Sequence, residues 1–213
     1  YAPTSDITDD EKTIIEKYLS DGGKVYLILG DTTSDTPNLD GIMSDYGLKK
    51  VSGYIADTQR CYQGNYYAIF PQLSLSGDLG SGISNQMVLL LNSPGMEKTD
   101  TDNDNLTVTP FMQTSDSGYA VTENDQTQGQ YILGAVSTNA ISADSSDSDS
   151  EDEDDKSDAT DTDTKTARLT VLASASMISS DITDQLTTLD NLTLFVNSVT
   201  ENFDNVNNVA IEA

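Results

Sequence analysis

The sequence predicts an α/β fold of three layers, in which a mostly parallel sheet has helices on both faces. Near the N-terminus a capped amphipathic helix, a glycine turn and a nearly continuous apolar run at residues 25–29 follow one another. A second capped helix comes soon afterwards, and strand-like runs occupy much of the remaining chain. Strands that alternate with amphipathic helices are typical of a parallel or mixed sheet that is covered on both faces.

The two N-terminal helices have clear start signals. Thr8 and Glu11 form a capping box. Thr36 is the expected cap of the second helix, because Pro37 fits the first helical position. Apolar residues at helical spacing predict the faces that pack on the sheet. They are Ile14, Ile15, Tyr18 and Leu19 in the first helix and Leu39, Ile42, Met43 and Tyr46 in the second.

The later segments are mainly strand-like. We predict strands at residues 49–57, 86–92, 106–115, 129–137 and from 167 into a serine-rich turn. Residues 60–73 are ambiguous, and Pro110 indicates an edge strand or a bulge. A last helix is predicted within residues 189–203, and residues 208–213 form a closing strand or a linker. The apolar face of that helix is predicted to contain Leu192, Phe195, Val196 and Val199.

Composition excludes several classes of function. The 213 residues include 36 acidic and 10 basic ones, so the net charge of −26 opposes binding to nucleic acids and anionic lipids. The chain contains no histidine, which removes imidazole bases and imidazole metal ligands. Cys61 is the one cysteine, so no intrachain disulfide forms. No apolar run reaches the roughly 18 residues of a membrane span.

We interpret residues 1–213 as a single domain that was cut from a longer protein, because the chain starts at Tyr1 and the expected first strand would precede it. An acidic tract at about 144–166 interrupts this domain. Its composition offers nothing that could be buried to offset ordering, so we expect a disordered loop insertion between two strands. The tract lacks the glycine of a calcium loop. No metal site and no cofactor are predicted.

Two polar segments follow predicted core strands, where open α/β sheets place their ligands. We expect this rim to bind a ligand or a partner, although turns and helix caps explain the same residues. The candidate rim residues are Asp31, Thr32, Thr33, Ser34 and Asp35 after the first strand and Ser174, Ser176 and Ser179 after the last.

Three separated segments resemble the extracytoplasmic domain of the gliding-motility-type (GldG-like) auxiliary proteins of ABC transporters. The first is the helix and strand of residues 1–31 with the "PNL" and "YGL" that follow it. The second is "TPFMQTS", which contains Thr114 and Ser115. The third is the C-terminal segment, in which Asn191, Leu194, Phe195 and Asn197 match the family pattern.

The resemblance implies a flavodoxin-like or class I glutamine amidotransferase-like fold outside the membrane. It also implies anchoring by segments beyond this chain, next to an ABC-2-type permease and its ATPase subunit, and it assigns no catalytic residues. The expected function is therefore noncatalytic binding of a partner protein or a transported ligand. The alternatives are an amidotransferase- or hydrolase-like enzyme that uses Cys61 or a serine of the 174–180 turn, and a pure structural scaffold.

Overall fold

The computed structural model describes residues 5–30, 35–141 and 165–203. Four α-helices lie in these ranges: α1 Asp9–Ser20, α2 Pro37–Asp45, α3 Ser180–Thr183 and α4 Asn191–Asn202. Two 3-10 turns cover Gly77–Gly80 and Ala175–Ile178. The strands are β1 Lys24–Ile28, β2 Leu48–Lys50, β3 Tyr54–Asp57, β4 Cys61–Tyr62, β5 Asn65–Ile69, β6 Gln72–Leu73, β7 Leu90–Leu91, β8 Met96–Lys98, β9 Leu106–Gln113, β10 Gly118–Val121, β11 Gln126–Gly129, β12 Ile132–Ile141 and β13 Lys165–Leu172.

Helix α1 begins as the sequence predicts. The Glu11 amide donates a hydrogen bond to the Thr8 hydroxyl, and the Thr8 amide donates one to the Glu11 carboxylate, so the capping box is confirmed. The predicted apolar face is only partly right. Leu19 is buried, whereas Ile14 and Tyr18 face solvent.

Strand β12 is the centre of the largest sheet. It pairs antiparallel with β13 along one edge, from Gly134↔Leu172 to Ile141↔Lys165, and antiparallel with β9 along the other edge. β1 extends the sheet beyond β13, β6 pairs with β9, and β8 joins β12 to β2. Two smaller antiparallel sheets have the orders β11-β10-β3 and β4-β5-β7.

The prediction of a mostly parallel sheet with a flavodoxin-like or glutamine amidotransferase-like three-layer fold is wrong. Among the strands of the described residues, β1 and β13 form a parallel pair, and all other pairings are antiparallel. The fold is mixed α/β, with one large, mainly antiparallel sheet and two small ones.

The physical reason lies in the connections. Parallel neighbours need a crossover of a dozen or more residues, usually a helix. Residues 48–141 contain strands, turns and one 3-10 turn, and no α-helix. The continuous apolar runs that suggested parallel strands come instead from burial on both faces. Residues 132–135 of β12 are all buried, although the strand has antiparallel partners on both edges.

Helix α4 covers one face of the β1–β13 pair. The Tyr26 ring of β1 packs edge-on against Phe195 of α4, with 6.0 Å between the ring centroids. The Tyr26 hydroxyl lies 2.7 Å from the Ser198 hydroxyl oxygen. Burial, partly offset by this hydrogen bond, raises the pKa of Tyr26 to about 12. Tyr26 pairs with Thr170 of β13, so Thr170 also points towards α4.

Helix α2 lies on the opposite face of the sheet. The Ser137 hydroxyl of β12 donates a 2.7 Å hydrogen bond to the Tyr46 carbonyl, which ends α2. Ser137 pairs with Leu169, the neighbour of Thr170 on β13. Because successive residues of a strand point to opposite faces, α2 and α4 are on opposite sides.

Part of the predicted acidic loop and the predicted segment at 208–213 lie outside the described residues. Lys165 and Thr166, which the prediction placed in the loop, belong to β13. Ile141 at the end of β12 pairs with Lys165 at the start of β13, so residues 142–164 connect two adjacent strand ends. Among the helices within the described ranges, none is both long and apolar enough to cross a membrane.

A buried carboxylate fixes the end of β3. Asp57 has no solvent exposure, and it accepts hydrogen bonds from the amides of Gln59, Arg60 and Ser115 and from the Ser115 hydroxyl. Burial by itself raises the pKa of this carboxyl, but the hydrogen bonds from Ser115, Arg60 and Gln59 outweigh burial and lower it. The ionised side chain therefore holds the turn after β3 against the turn before β10.

We expect Asp57→Asn to lower the free energy of unfolding by about 3 kcal/mol, because the amide has one acceptor oxygen and turns N–H groups towards buried donors. Because the folded pKa is lowered, the ionised carboxyl contributes its full stability above its unfolded pKa of about 3.9. That contribution is lost as the pH falls through the folded value. Urea denaturation of both proteins between pH 7 and pH 3 measures the difference.

The control is Asp116→Asn, which removes the same charge at an exposed position directly after Ser115. It should change stability by less than about 0.5 kcal/mol. Equal effects of the two substitutions, or a wild-type advantage over Asp57→Asn that does not shrink in acid, would contradict the role assigned to Asp57.

Candidate functional site

Only part of the rim that the sequence predicts lies within the described residues. β1 and β13 are parallel, so their carboxyl ends meet at one edge of the sheet, as the prediction requires. Asp31, Thr32, Thr33 and Ser34 lie outside the described residues. Asp35 is exposed just before α2.

The serines after β13 are engaged within the turn. The Ser174 hydroxyl donates to the Ser176 hydroxyl at 2.8 Å, and the Ser176 amide donates to the Ser174 hydroxyl oxygen at 3.1 Å. The Leu91 amide donates to the Ser176 hydroxyl oxygen at 2.9 Å. The Ser179 hydroxyl accepts from the Asp181 amide and begins α3. These contacts are those of turns and caps, and binding of a ligand by this rim stays a prediction.

The N-terminus of α2, beside the rim, is capped from within the chain. The predicted cap, Thr36, is the N-cap residue but makes no side-chain cap bond. Instead, the Asp6 carboxylate accepts hydrogen bonds from the amides of Asn38 and Leu39, at 3.0 and 3.1 Å. The positive end of the helix dipole therefore faces a carboxylate of the same chain.

The alternative nucleophile, Cys61, lies half-buried in β4, where it pairs with Ile69. The chain has no histidine that could activate it. The hydrogen-bond partners found for Ser174 and Ser176 are a hydroxyl and backbone amides, which are not bases. Among the described residues, no group of three or more Cys, Asp or Glu side chains is arranged to hold a metal ion.

Two adjacent residues at the start of α4 form hydrogen bonds to the backbone of residues 85–91, as a neighbouring strand would. The Asp190 carboxylate accepts from the amides of Asn85 and Met87, and the Asp190 amide donates to the Met87 carbonyl. The Asn191 side chain accepts from the Leu89 amide and donates to the Leu89 carbonyl. We call this arrangement, Asp190 and Asn191 against residues 85–91, the clasp.

The clasp explains why a predicted strand is short. Residues 88–90 are fully buried, as the apolar run at 86–92 predicts, but the ladder of β7 contains only Leu90 and Leu91. The backbone groups of the preceding residues bond to side chains of α4 instead of to a strand. Asn191 also donates to the Met177 carbonyl, so it joins three segments of the chain.

Thr114, Ser115 and Asn197, on which the predicted resemblance partly rests, have the same architectural role. The Thr114 hydroxyl accepts from the Tyr131 amide, and Ser115 binds Asp57. The Asn197 side chain donates to the carbonyls of Leu79 and Ser81. Each of these bonds joins segments that are far apart in the sequence. These three positions therefore hold distant segments of the fold together.

Helix α4 buries polar residues and exposes apolar ones. Asn191, Ser198 and Asn202 are at most 2% exposed. Leu192, Val196 and Phe203 are 57%, 49% and 39% exposed, respectively. The predicted apolar face is therefore half right: Phe195 and Val199 pack on the core, whereas Leu192 and Val196 point away from it. We call Leu192, Val196 and Phe203 the outer face of α4.

A groove with a volume of about 590 Å³ lies between the two small sheets. Tyr54 and Val121, which pair across β3 and β10, form one wall. Tyr67 of β5 contributes from the other sheet. The rest of the lining consists of Gly53, Asn92, Thr122 and Glu123. We call this feature the aromatic groove.

The backbone around the aromatic groove is held in place. Gly53 has φ +84°, and a Cβ at this position would overlap the Val121 carbonyl oxygen, so the approach of β3 to β10 requires glycine. Asn92 also has a positive φ, of 45°, and its amide donates to the Tyr67 carbonyl at 3.0 Å. Asparagine tolerates this left-handed conformation better than most residues.

Neither the aromatic groove nor the outer face of α4 was predicted from the sequence. One signal for the groove is present in the sequence, within the ambiguous segment at residues 60–73. Tyr66 and Tyr67 are adjacent in β5, and neighbouring residues of a strand point to opposite faces, so at least one ring faces away from any single core. Both rings are exposed, at 50% and 36%.

Comparison with known proteins gives a fold and no family. No family model matches the sequence, and no curated protein matches it. A solved structure described as "mmIFT52 N-terminal domain" is similar, with a TM-score of 0.58 and 15% sequence identity. The similarity covers 94% of this chain and 73% of that chain. At this identity the likeness concerns the fold alone, and it supports the mixed architecture in place of the flavodoxin-like sheet.

We expect Asn191→Ala to lower the free energy of unfolding by about 3 kcal/mol, because it leaves buried backbone groups of Leu89 and Met177 without partners. Urea denaturation is the measurement. The matched control is Asn197→Ala on the same helix, whose carbonyl partners lie nearer to solvent. Its cost should be about 1 kcal/mol, since water can replace the lost amide. An Asn191→Ala protein as stable as the control would contradict the clasp.

Proposed function

We propose that this chain is a noncatalytic domain that binds a partner protein of an ABC transporter complex on the outer side of a membrane. The partner is an ABC-2-type permease with its ATPase subunit. The observation that carries the proposal is the outer face of α4. A helix that buries asparagine and serine while exposing leucine, valine and phenylalanine presents an apolar surface suited to a second protein.

The three side chains form one compact stripe. At 100° per residue, Leu192, Val196 and Phe203 fall within roughly 40° of one another around the helix. Val199 lies next to this arc and widens it to roughly 60°, although it also packs on the core. This i, i+4, i+7, i+11 spacing is the pattern with which a helix contacts a partner helix or groove.

The charge distribution favours a different protein over a second copy of this chain. α4 carries one charged residue, Glu201, so its surface is nearly neutral in a chain of net charge −26. Two copies of so acidic a chain repel each other, whereas a neutral or basic partner does not meet this penalty. A face that is apolar and nearly free of charge limits the desolvation cost of such an interface.

The transporter context is supported by the three ordered segments that resemble the GldG-like family. The noncatalytic character is supported by the absence of histidine from the sequence and by the engagement of Ser174 and Ser176 in their own turn. A rim ligand involving residues 31–35 would be compatible with the same proposal.

The double variant Leu192→Ser/Val196→Ser should lose binding to the detergent-solubilised cognate permease–ATPase complex. We expect at least about a tenfold loss, because burial of each large aliphatic side chain contributes on the order of 1.5–3 kcal/mol. Pull-down with quantified complex is the measurement. Both positions are exposed, so thermal unfolding of the variant should match that of the parent chain.

The control is Ile14→Ser/Tyr18→Ser, which removes two exposed apolar residues at the same i, i+4 spacing from α1. This variant should bind the complex as the parent chain does. Equal binding by all three proteins would contradict the assignment of the outer face of α4. Failure of the parent chain to bind the complex would contradict the proposed function itself.

A further inference from the structure

We propose that the aromatic groove receives an arginine side chain from an extended segment of the partner protein. The inference rests on the proposed function and adds the chemistry of a second contact, separate from the outer face of α4. Three properties of the groove carry it: its aromatic and apolar lining, a carboxylate in a lining that contains no basic residue, and walls built on a strand ladder and two constrained backbone positions.

The lining suits a flat cation on an apolar stem. Tyr54 and Tyr67 enter from the two small sheets, and these residues are 37% and 36% exposed. Val121, half-buried beside Tyr54, offers contact to the methylene groups of a long side chain. A guanidinium stacks on tyrosine faces and gains cation–π attraction, which an apolar or anionic group cannot do.

The electrostatic environment selects a positive ligand. Glu123 lines the groove, and no lysine or arginine occurs in residues 61–97 or 99–141, which supply Tyr67, Asn92, Val121 and Glu123. The nearest cations in the sequence are engaged elsewhere. Lys50, three residues before Gly53, donates to the Thr36 hydroxyl and pairs with the Asp40 carboxylate. Arg60 donates to the carbonyls of Phe70 and Pro71. A carboxylate beside two aromatic rings, with no basic residue in the strands around it, complements a guanidinium.

The shape and rigidity favour a segment of a protein over a free ion. The volume of about 590 Å³ exceeds the space that a single small cation fills and lies in the range of sites for larger ligands. Its lining comes from both small sheets, so a bound segment would contact both of them. Gly53, Asn92 and the ladder of β3 with β10 hold the walls before binding, which lowers the ordering cost of the complex.

The test uses the 213-residue chain and a capped pentapeptide, Gly-Ser-Arg-Ser-Gly, which carries one charge so that general attraction to the acidic surface is small. The ring resonances of Tyr54 and Tyr67 are followed by NMR during titration, beside those of Tyr66. We expect shifts at Tyr54 and Tyr67. The same peptide with neutral citrulline in place of arginine should bind about fourfold more weakly, as loss of an exposed cation–π contact implies.

Two matched pairs of variants complete the experiment. Tyr67→Leu should weaken binding of the arginine peptide about fourfold, whereas Tyr66→Leu, one residue away on the other face of β5, should not. Glu123→Gln should weaken it about threefold, whereas Asp116→Asn, which removes the same charge elsewhere, should not.

Equal affinity for the arginine and citrulline peptides would overturn the proposal, as would equal effects of Glu123→Gln and Asp116→Asn. Binding of methylguanidinium as tight as that of the peptide would overturn the assignment of a protein segment. Each titration needs only this chain and a peptide, so its outcome is independent of whether the permease complex binds the outer face of α4.

Discussion

The hydrogen bonds between Asn191 and the backbone of Leu89 and Met177 connect parts of the chain that share no strand ladder. Through them and the neighbouring Asp190 carboxylate, the buried segment before β7 is held against the start of α4 and the turn after β13. β7 in turn pairs with β5, which carries Tyr67. The clasp therefore attaches the sheet β4-β5-β7 to the helix that exposes Leu192 and Val196, and it fixes both surfaces to which we assign binding.

The same device recurs because the chain is rich in short polar residues and only 36% hydrophobic. Asp57, Thr114 and Asn197 each bond to backbone groups of segments distant in sequence. A buried bond of this kind contributes about 1 kcal/mol when made and costs more when one partner is removed. These residues are needed by the fold itself, whereas the outer face of α4 and the aromatic groove are exposed surfaces that the fold does not use.

Local signals in the sequence were sufficient for the parts of the structure that depend on neighbouring residues. The capping box at Thr8 and the proline at the start of α2 located two helices, and apolar runs located buried segments such as residues 88–90. Sheet topology depends on which distant strands pair, and local patterns do not contain this information. Because β12 is buried on both faces, its sequence has the continuous apolar run that is typical of a parallel strand. The predicted face of α4 was right for Phe195 and Val199 and wrong for Leu192 and Val196. Asn191 and Ser198 take inward positions on the helix, because their polar groups bond to partners that are distant in sequence. The groove combines residues from both small sheets, so no local pattern contains it.

Amide hydrogen exchange of Leu89 tests the clasp most directly. Its amide donates to a side chain and belongs to no strand ladder, so ordinary loop behaviour would give rapid exchange. If the Asn191 side chain holds this segment as a neighbouring strand would, Leu89 exchanges only on global unfolding, with the same protection as the central amides of β12. Exchange of Leu89 orders of magnitude faster than β12, in the native protein, would contradict the account.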